Sequence, residues 1–130
     1  MRAFLDTCVL VSGRFTPPSE VTELAVTSIS YAELRFGIAA AGLQAVQRVE
    51  RSIRLEAIAE RFGEGAPFDD RAAVSYGHIT DLVLASGRSP RGRVADLMIA
   101  AIAHANDAAL ITTNLKDFAG LERMVRVFPA

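Results

Sequence analysis

Short apolar runs that alternate with helix-period segments, with an acid at or near each junction, constrain this chain more than any other feature. Residues 3–10 carry the β-branched and apolar bias of a short buried strand, with Asp6 closing the run Ala3-Phe4-Leu5. Residues 24–28 are expected as a second strand and residues 109–113 as a third. Val125-Arg126-Val127-Phe128 alternates apolar and charged side chains, as a half-exposed edge strand does. The spacing predicts helices over 31–41, 43–62, from Asp69 or Asp70 to about Ala85, and 94–107. In the second of these, Leu43, Val46, Val49, Ile53, Ala57 and Phe62 recur at near-helical intervals among charges. The last is apolar on nearly all sides and belongs in the middle of a domain. Strands alternating with helices give the α/β class, with a mostly parallel sheet of four or five strands, the fifth unplaced.

The chain's 130 residues are expected to form a single domain, 1–130. An apolar fraction of 51% suffices for a core without disulfides. No apolar stretch reaches the roughly 18 residues of a membrane span. Asp6 comes too early for a signal peptide, and a single cysteine, Cys8, fits a reducing cytoplasm. The net charge of -1 does not announce a nucleic-acid binder. Basic residues are nonetheless almost all arginine, and Arg88, Arg91 and Arg93 cluster just before Asp96. Arginine's planar fork suits phosphate; the plainer reading is a solvated loop.

In an open α/β sheet, strand-to-helix junctions converge at the carboxyl ends of the strands, where ligands bind. Acids meeting there repel one another unless a cation lies between them, and oxygen donors point to Mg²⁺ or Mn²⁺. Asp6 ends a strand, where an unpartnered carboxylate is costly to bury, although Asp also caps loops. Glu33 has a rival role, because Ser30-Tyr31-Ala32-Glu33 matches a capping box. Asp96 opens an apolar helix, where the macrodipole alone favours an acid. Asn114 ends the third strand and Asp117 follows three residues on; either could hold the fourth place, and Asp117 brings charge. Thr7 and Ser30 could hydrogen-bond an acidic neighbour, whereas Thr112 and Thr113 read equally well as ordinary strand residues.

His78 and His104 have no partner at zinc-ligand spacing. Cys8 reads as a small core residue, and no phosphate-cradling glycine loop is present. Carboxylates around a divalent ion point to phosphoryl-transfer chemistry, in which the metal lowers the pKa of water and polarises a phosphodiester. Flanking phosphates then need cations, for which Arg14, Arg91 and Arg93 are the candidates.

Four pieces carry a resemblance: Phe4-Leu5-Asp6-Thr7, the stretch from Ser28 to Gly37 with Glu33 inside it, Asp96-Leu97-Met98-Ile99-Ala100-Ala101, and Ile111 to Phe118 with Asn114 and Asp117. In order, spacing and total length the chain resembles PIN-domain proteins, and among them the VapC-type toxins of bacterial toxin–antitoxin pairs. The resemblance implies a three-layer α/β/α domain, Mg²⁺-dependent endoribonuclease activity on RNA such as tRNA or rRNA, and a homodimer. It implies a VapB-type antitoxin that occludes the site, often with an arginine. It also implies metal-binding acids at Asp6 and Asp96, with Glu33 and a fourth polar residue completing the site. Cys8 stands where the family more often has Ser or Asn, which removes a hydrogen-bonding neighbour of Asp6. Asn114 stands where many relatives have Asp. The rival expectations are a non-catalytic RNA- or protein-binding module that keeps the fold, and a phosphatase of the aspartyl-phosphate kind. The phosphatase would want an acid where Cys8 stands.

Overall fold

In the computed structural model, which describes residues 1–130, the alternation resolves into four strands and five α-helices. They run β1 (Arg2–Leu5), α1 (Thr7–Ser12), β2 (Glu23–Ala25), α2 (Ser28–Ala40), α3 (Ala45–Phe62), α4 (Asp70–Ala85), α5 (Val94–Ala105), β3 (Ala109–Thr112) and β4 (Val127–Pro129). A 3₁₀ turn, Leu115–Phe118, lies between β3 and β4. The sheet order is β2-β1-β3-β4 with every pair parallel. Phe4 of β1 registers with Ala25 on one side and Leu110 on the other.

Parallel strands are covered on both faces and so read as unbroken apolar runs. Alternate residues then feed opposite layers. Phe4 and Leu110 join Ile79 and Val83 of α4 and Leu97 and Ile102 of α5 in the larger core. Ala3, Leu5, Ala109 and Ile111 face a smaller core with Val9 and Leu10 of α1 and Ile58 of α3. This is the expected three-layer α/β/α arrangement, with four strands completing the sheet. No helix is long and apolar enough to cross a membrane.

Three local expectations are corrected. The strand expected over 3–10 stops at Leu5, because Asp6 caps α1: its side chain accepts from the Thr7 N–H and its carbonyl from the Val9 and Leu10 N–H groups. The apolar bias of residues 8–11 reflects burial of Val9 and Leu10 under the sheet, and tertiary packing overrides strand propensity there. Second, α2 starts at Ser28 with Thr27 as its cap, the Thr27 hydroxyl accepting from the Ser30 N–H at 3.1 Å. Glu33 therefore lies in the second turn, out of reach of the cap, and the capping-box role falls away. Third, Val46, Val49 and Ile53 of α3 are exposed, as is Leu43 ahead of it. The helix packs on α2 and reaches the smaller core through Ile58 and Phe62 near its end.

Gly65 pins the start of α2. Ser28 N–H donates to the Ala66 carbonyl and Ala66 N–H to the Val26 carbonyl, each at 2.9 Å. A Cβ on Gly65 would stand 2.6 Å from Ser28 N.

Candidate metal centre

The carboxyl ends of β1 and β3 lie side by side, and the first side chain past β1 is Asp6, only 3% exposed. Burying a carboxylate requires partners, and it has three. Oδ1 accepts from the Thr7 N–H at 2.8 Å; Oδ2 accepts from the Thr112 hydroxyl at 2.8 Å and from the Cys8 thiol at 3.3 Å. The Thr112 hydroxyl in turn accepts from the Asn114 N–H at 3.0 Å, which ties the end of β3 to the acid. Thr112 is thus a positioning residue that its sequence context did not distinguish from an ordinary strand threonine. The only signal was its place at the carboxyl end of a strand. Cys8 packs against the edge of the smaller core and also belongs to the site: its sulfur accepts from the Thr113 hydroxyl at 3.0 Å, and the thiol keeps the contact to Asp6 that its substitution for Ser or Asn was expected to remove.

Glu33 comes from the second turn of α2. The Thr7 hydroxyl lies 2.7 Å from Glu33 Oε1 and 2.9 Å from Ser30 Oγ. It has one proton, which goes to the carboxylate, and Ser30 donates back to Thr7. Both hydroxyls that the sequence marked as partners of an acid are therefore used.

Asp96 occupies the first turn of α5 and is half-buried. Its carboxyl is pushed up to about 6 by burial, then by the negative charges of Asp6, Glu33 and Asp117, against a smaller opposing pull from Arg93. Acids from three other places in the sequence thus act on Asp96. Asp6, Glu33, Asp96 and Asn114 line one cavity of about 390 Å³, with Thr7, Cys8 and Ser12. Asp117 lies outside that lining, in an adjoining cavity of about 370 Å³ that it shares with Asn114, although its charge reaches Asp96.

The carboxylates face a common space without forming a ready-made ligand shell: no three acidic, His or Cys side chains are gathered closely enough to hold an ion as they stand. The donor chemistry fits Mg²⁺ or Mn²⁺, which take oxygen ligands and retain water. Burial and the neighbouring acids both disfavour the Asp96 carboxylate, and a divalent ion would offset both. His104 bonds Ser75 at 2.7 Å and lines a separate groove with His78, so neither histidine reaches this centre.

The arginine loop is partly engaged. Arg93 Nη1 donates to the Asp117 carbonyl at 3.0 Å, and Arg88 Nη1 to the Lys116 carbonyl at 3.0 Å, so both pin the 3₁₀ turn. Arg14 and Arg91 are exposed and line none of the cavities described here.

Comparison with known proteins gives a consistent picture. The family model described as PIN domain matches residues 3–123. The chain is similar to a solved structure of VapBC-5, a member of the VapBC family of toxin–antitoxin systems from Mycobacterium tuberculosis. Identity is 33%, coverage 98% of this chain and 96% of that one, and the TM-score 0.76. It is also similar to FitAcB from Neisseria gonorrhoeae, at 28% identity, 97% and 96% coverage and a TM-score of 0.76. VapBC2 from Rickettsia felis, solved bound to a DNA fragment from its promoter, shares the fold at 22% identity, 100% and 99% coverage and a TM-score of 0.77. A comparison with curated proteins found no match.

Proposed function

The chain belongs to the PIN-domain family, in its VapC-type toxin branch, and from that premise we propose that it is a Mg²⁺-dependent endoribonuclease acting as the toxin of a type II toxin–antitoxin pair. One observation carries the chemistry: Asp6, Glu33 and Asp96 open onto a single cavity at the carboxyl edge of a parallel sheet, close enough for the first two to raise the pKa of the third.

When bound, the ion supplies a Lewis acid for the phosphodiester and offsets the charge of the acids. Asp6 and Asp96 would hold it. Thr7, Thr112 and Cys8 fix the rotamer of Asp6, as outer partners commonly do around metal ligands. Glu33, with Oε1 taken by Thr7, has Oε2 left to accept a proton from the attacking water. Asn114 or Asp117 would complete the site.

The antitoxin reading rests on the similar VapBC structures and on unpartnered apolar surface: Phe36, Leu43, Val46, Val49 and Ile53 are all exposed on the α2–α3 hairpin. Clustered exposed apolar side chains mark a protein interface. Action on tRNA or rRNA places the protein in the cytoplasm.

Asp6→Asn and Asp96→Asn should each abolish RNA cleavage and growth arrest while leaving the circular-dichroism spectrum intact. Sequencing of RNA 5′ ends after induced expression reads the outcome; cleavage retained in both variants would defeat the assignment.

A further inference from the structure

The acid cavity does not end at Glu33. A second cavity, of about 270 Å³, shares Thr7 and Glu33 with it and is closed on its far side by Arg51 and Arg54 of α3. These arginines are three residues apart, so they stand on one face of the helix. Arg51 is half-buried, and its Nη1 donates to the Gly37 carbonyl at the rim of the same cavity, which holds the guanidinium in place. Arg54 makes no hydrogen bond or ion pair with the chain. The only two ion pairs in the protein are Arg2–Glu23 and Arg126–Glu20, so no carboxylate neutralises either guanidinium. A guanidinium carries five donors in a fixed fork, and most of those on this pair are free.

The arrangement places unmatched positive charge directly beside concentrated negative charge, with the Thr7–Glu33 wall between. A polyanion approaching the acids is repelled except near cations: the ion, these two arginines, and Arg93, whose charge reaches Asp96. Arg88 and Arg93 keep their charge but spend hydrogen-bond donors on backbone carbonyls, which leaves Arg54 the cation beside the acids with its whole fork free.

We infer that Arg51 and Arg54 form a phosphate subsite that holds the RNA backbone next to the scissile bond, so that the strand runs from the acid cavity across the α2–α3 side of the molecule. This rests on the ribonuclease reading and adds the path of the substrate to it. Arginine is matched to phosphate by its paired donors. A bound backbone phosphate here also sets which bond faces the acids, which makes the pair a determinant of substrate position.

The test measures binding of a fluorescein-labelled, mixed-sequence single-stranded oligoribonucleotide to an Asp96→Asn parent as a function of salt, alongside KM and kcat in the otherwise native chain. Arg54→Gln and Arg51→Gln should each weaken binding about tenfold at low salt, as expected for one lost charge-assisted hydrogen bond. Each should lower the slope of log affinity against log salt by about 0.7. KM should rise more than kcat falls, and Arg54→Lys should restore part of the salt slope. Arg54→Gln keeps the test sound if Arg51→Gln loosens the α2–α3 contact, because Arg54 holds no protein group. Unchanged affinity and slope in Arg54→Gln, with a native chain that cuts RNA, would overturn the subsite and leave the ribonuclease standing. So would a variant whose only loss is affinity for a protein partner. A native chain that neither binds nor cuts RNA would remove the ribonuclease reading and the subsite with it.

Discussion

Asp96 shows how single residues carry the site. Its carboxyl titrates near 6 against an ordinary 3.8, chiefly from burial and then from its acidic neighbours. Below about pH 4 the folded and unfolded chains both hold this proton, and nothing is lost on folding. As pH rises through the window from about 4 to 6, the unfolded chain ionises first, so folding must oppose ionisation and stability falls. Above 6 the penalty is complete. A rise of this size is worth about 3 kcal/mol unscreened, and about 1–2 kcal/mol for a half-exposed group. Asp96→Asn should therefore melt higher than the native chain at pH 7.5 in metal-free buffer, and the advantage should vanish at pH 4. An unaltered melting temperature at pH 7.5 would mean that neither burial nor the neighbouring acids penalise the Asp96 carboxylate. Of the residues around this acid, the sequence marked Asp6, Glu33, Thr7, Ser30 and Asn114, because acids and hydroxyls at strand ends are conspicuous. Thr112 and the contacts of Cys8 were hidden, since a buried threonine at the end of a strand looks the same whether or not its hydroxyl faces an acid.

Elements hold these residues in place by their ends rather than their lengths. α1 begins on Asp6 itself, so one carboxylate serves both as helix cap and as site residue. α2 begins where the Gly65–Ala66 segment pairs with residues 26–28. Gly65→Ala would drive a methyl into the Ser28 backbone. It should destabilise the fold by about 1–3 kcal/mol, read by urea unfolding, with catalysis impaired because Glu33 and Ser30 shift with the helix. Stability equal to the native chain would show that this segment does not set α2. The strand–helix alternation was legible because burial on both faces of a parallel sheet leaves a strong apolar signature. The boundary at Asp6 was not, because Cys8-Val9-Leu10-Val11 suits a strand as well as a buried helical turn. Nor was the true cap of α2, where Thr27 and Ser30 are equally good capping residues and only the pairing with Ala66 decides between them. The stripe on α3 has helical spacing, but periodicity cannot tell a core from a surface awaiting a partner.

At the scale of the whole molecule, the fold spends its two apolar layers on holding a sheet whose carboxyl edge gathers negative charge, and leaves further apolar surface bare on the α2–α3 hairpin. Both features make sense if the edge receives a cation and the hairpin a protein. The central claim is the first, and titration of Mn²⁺ into the metal-free protein by calorimetry tests it most directly. The expected result is saturable uptake by the native chain, strongly weakened in Asp6→Asn and in Asp96→Asn. No heat of binding in the native chain, or uptake that both variants retain in full, would contradict it.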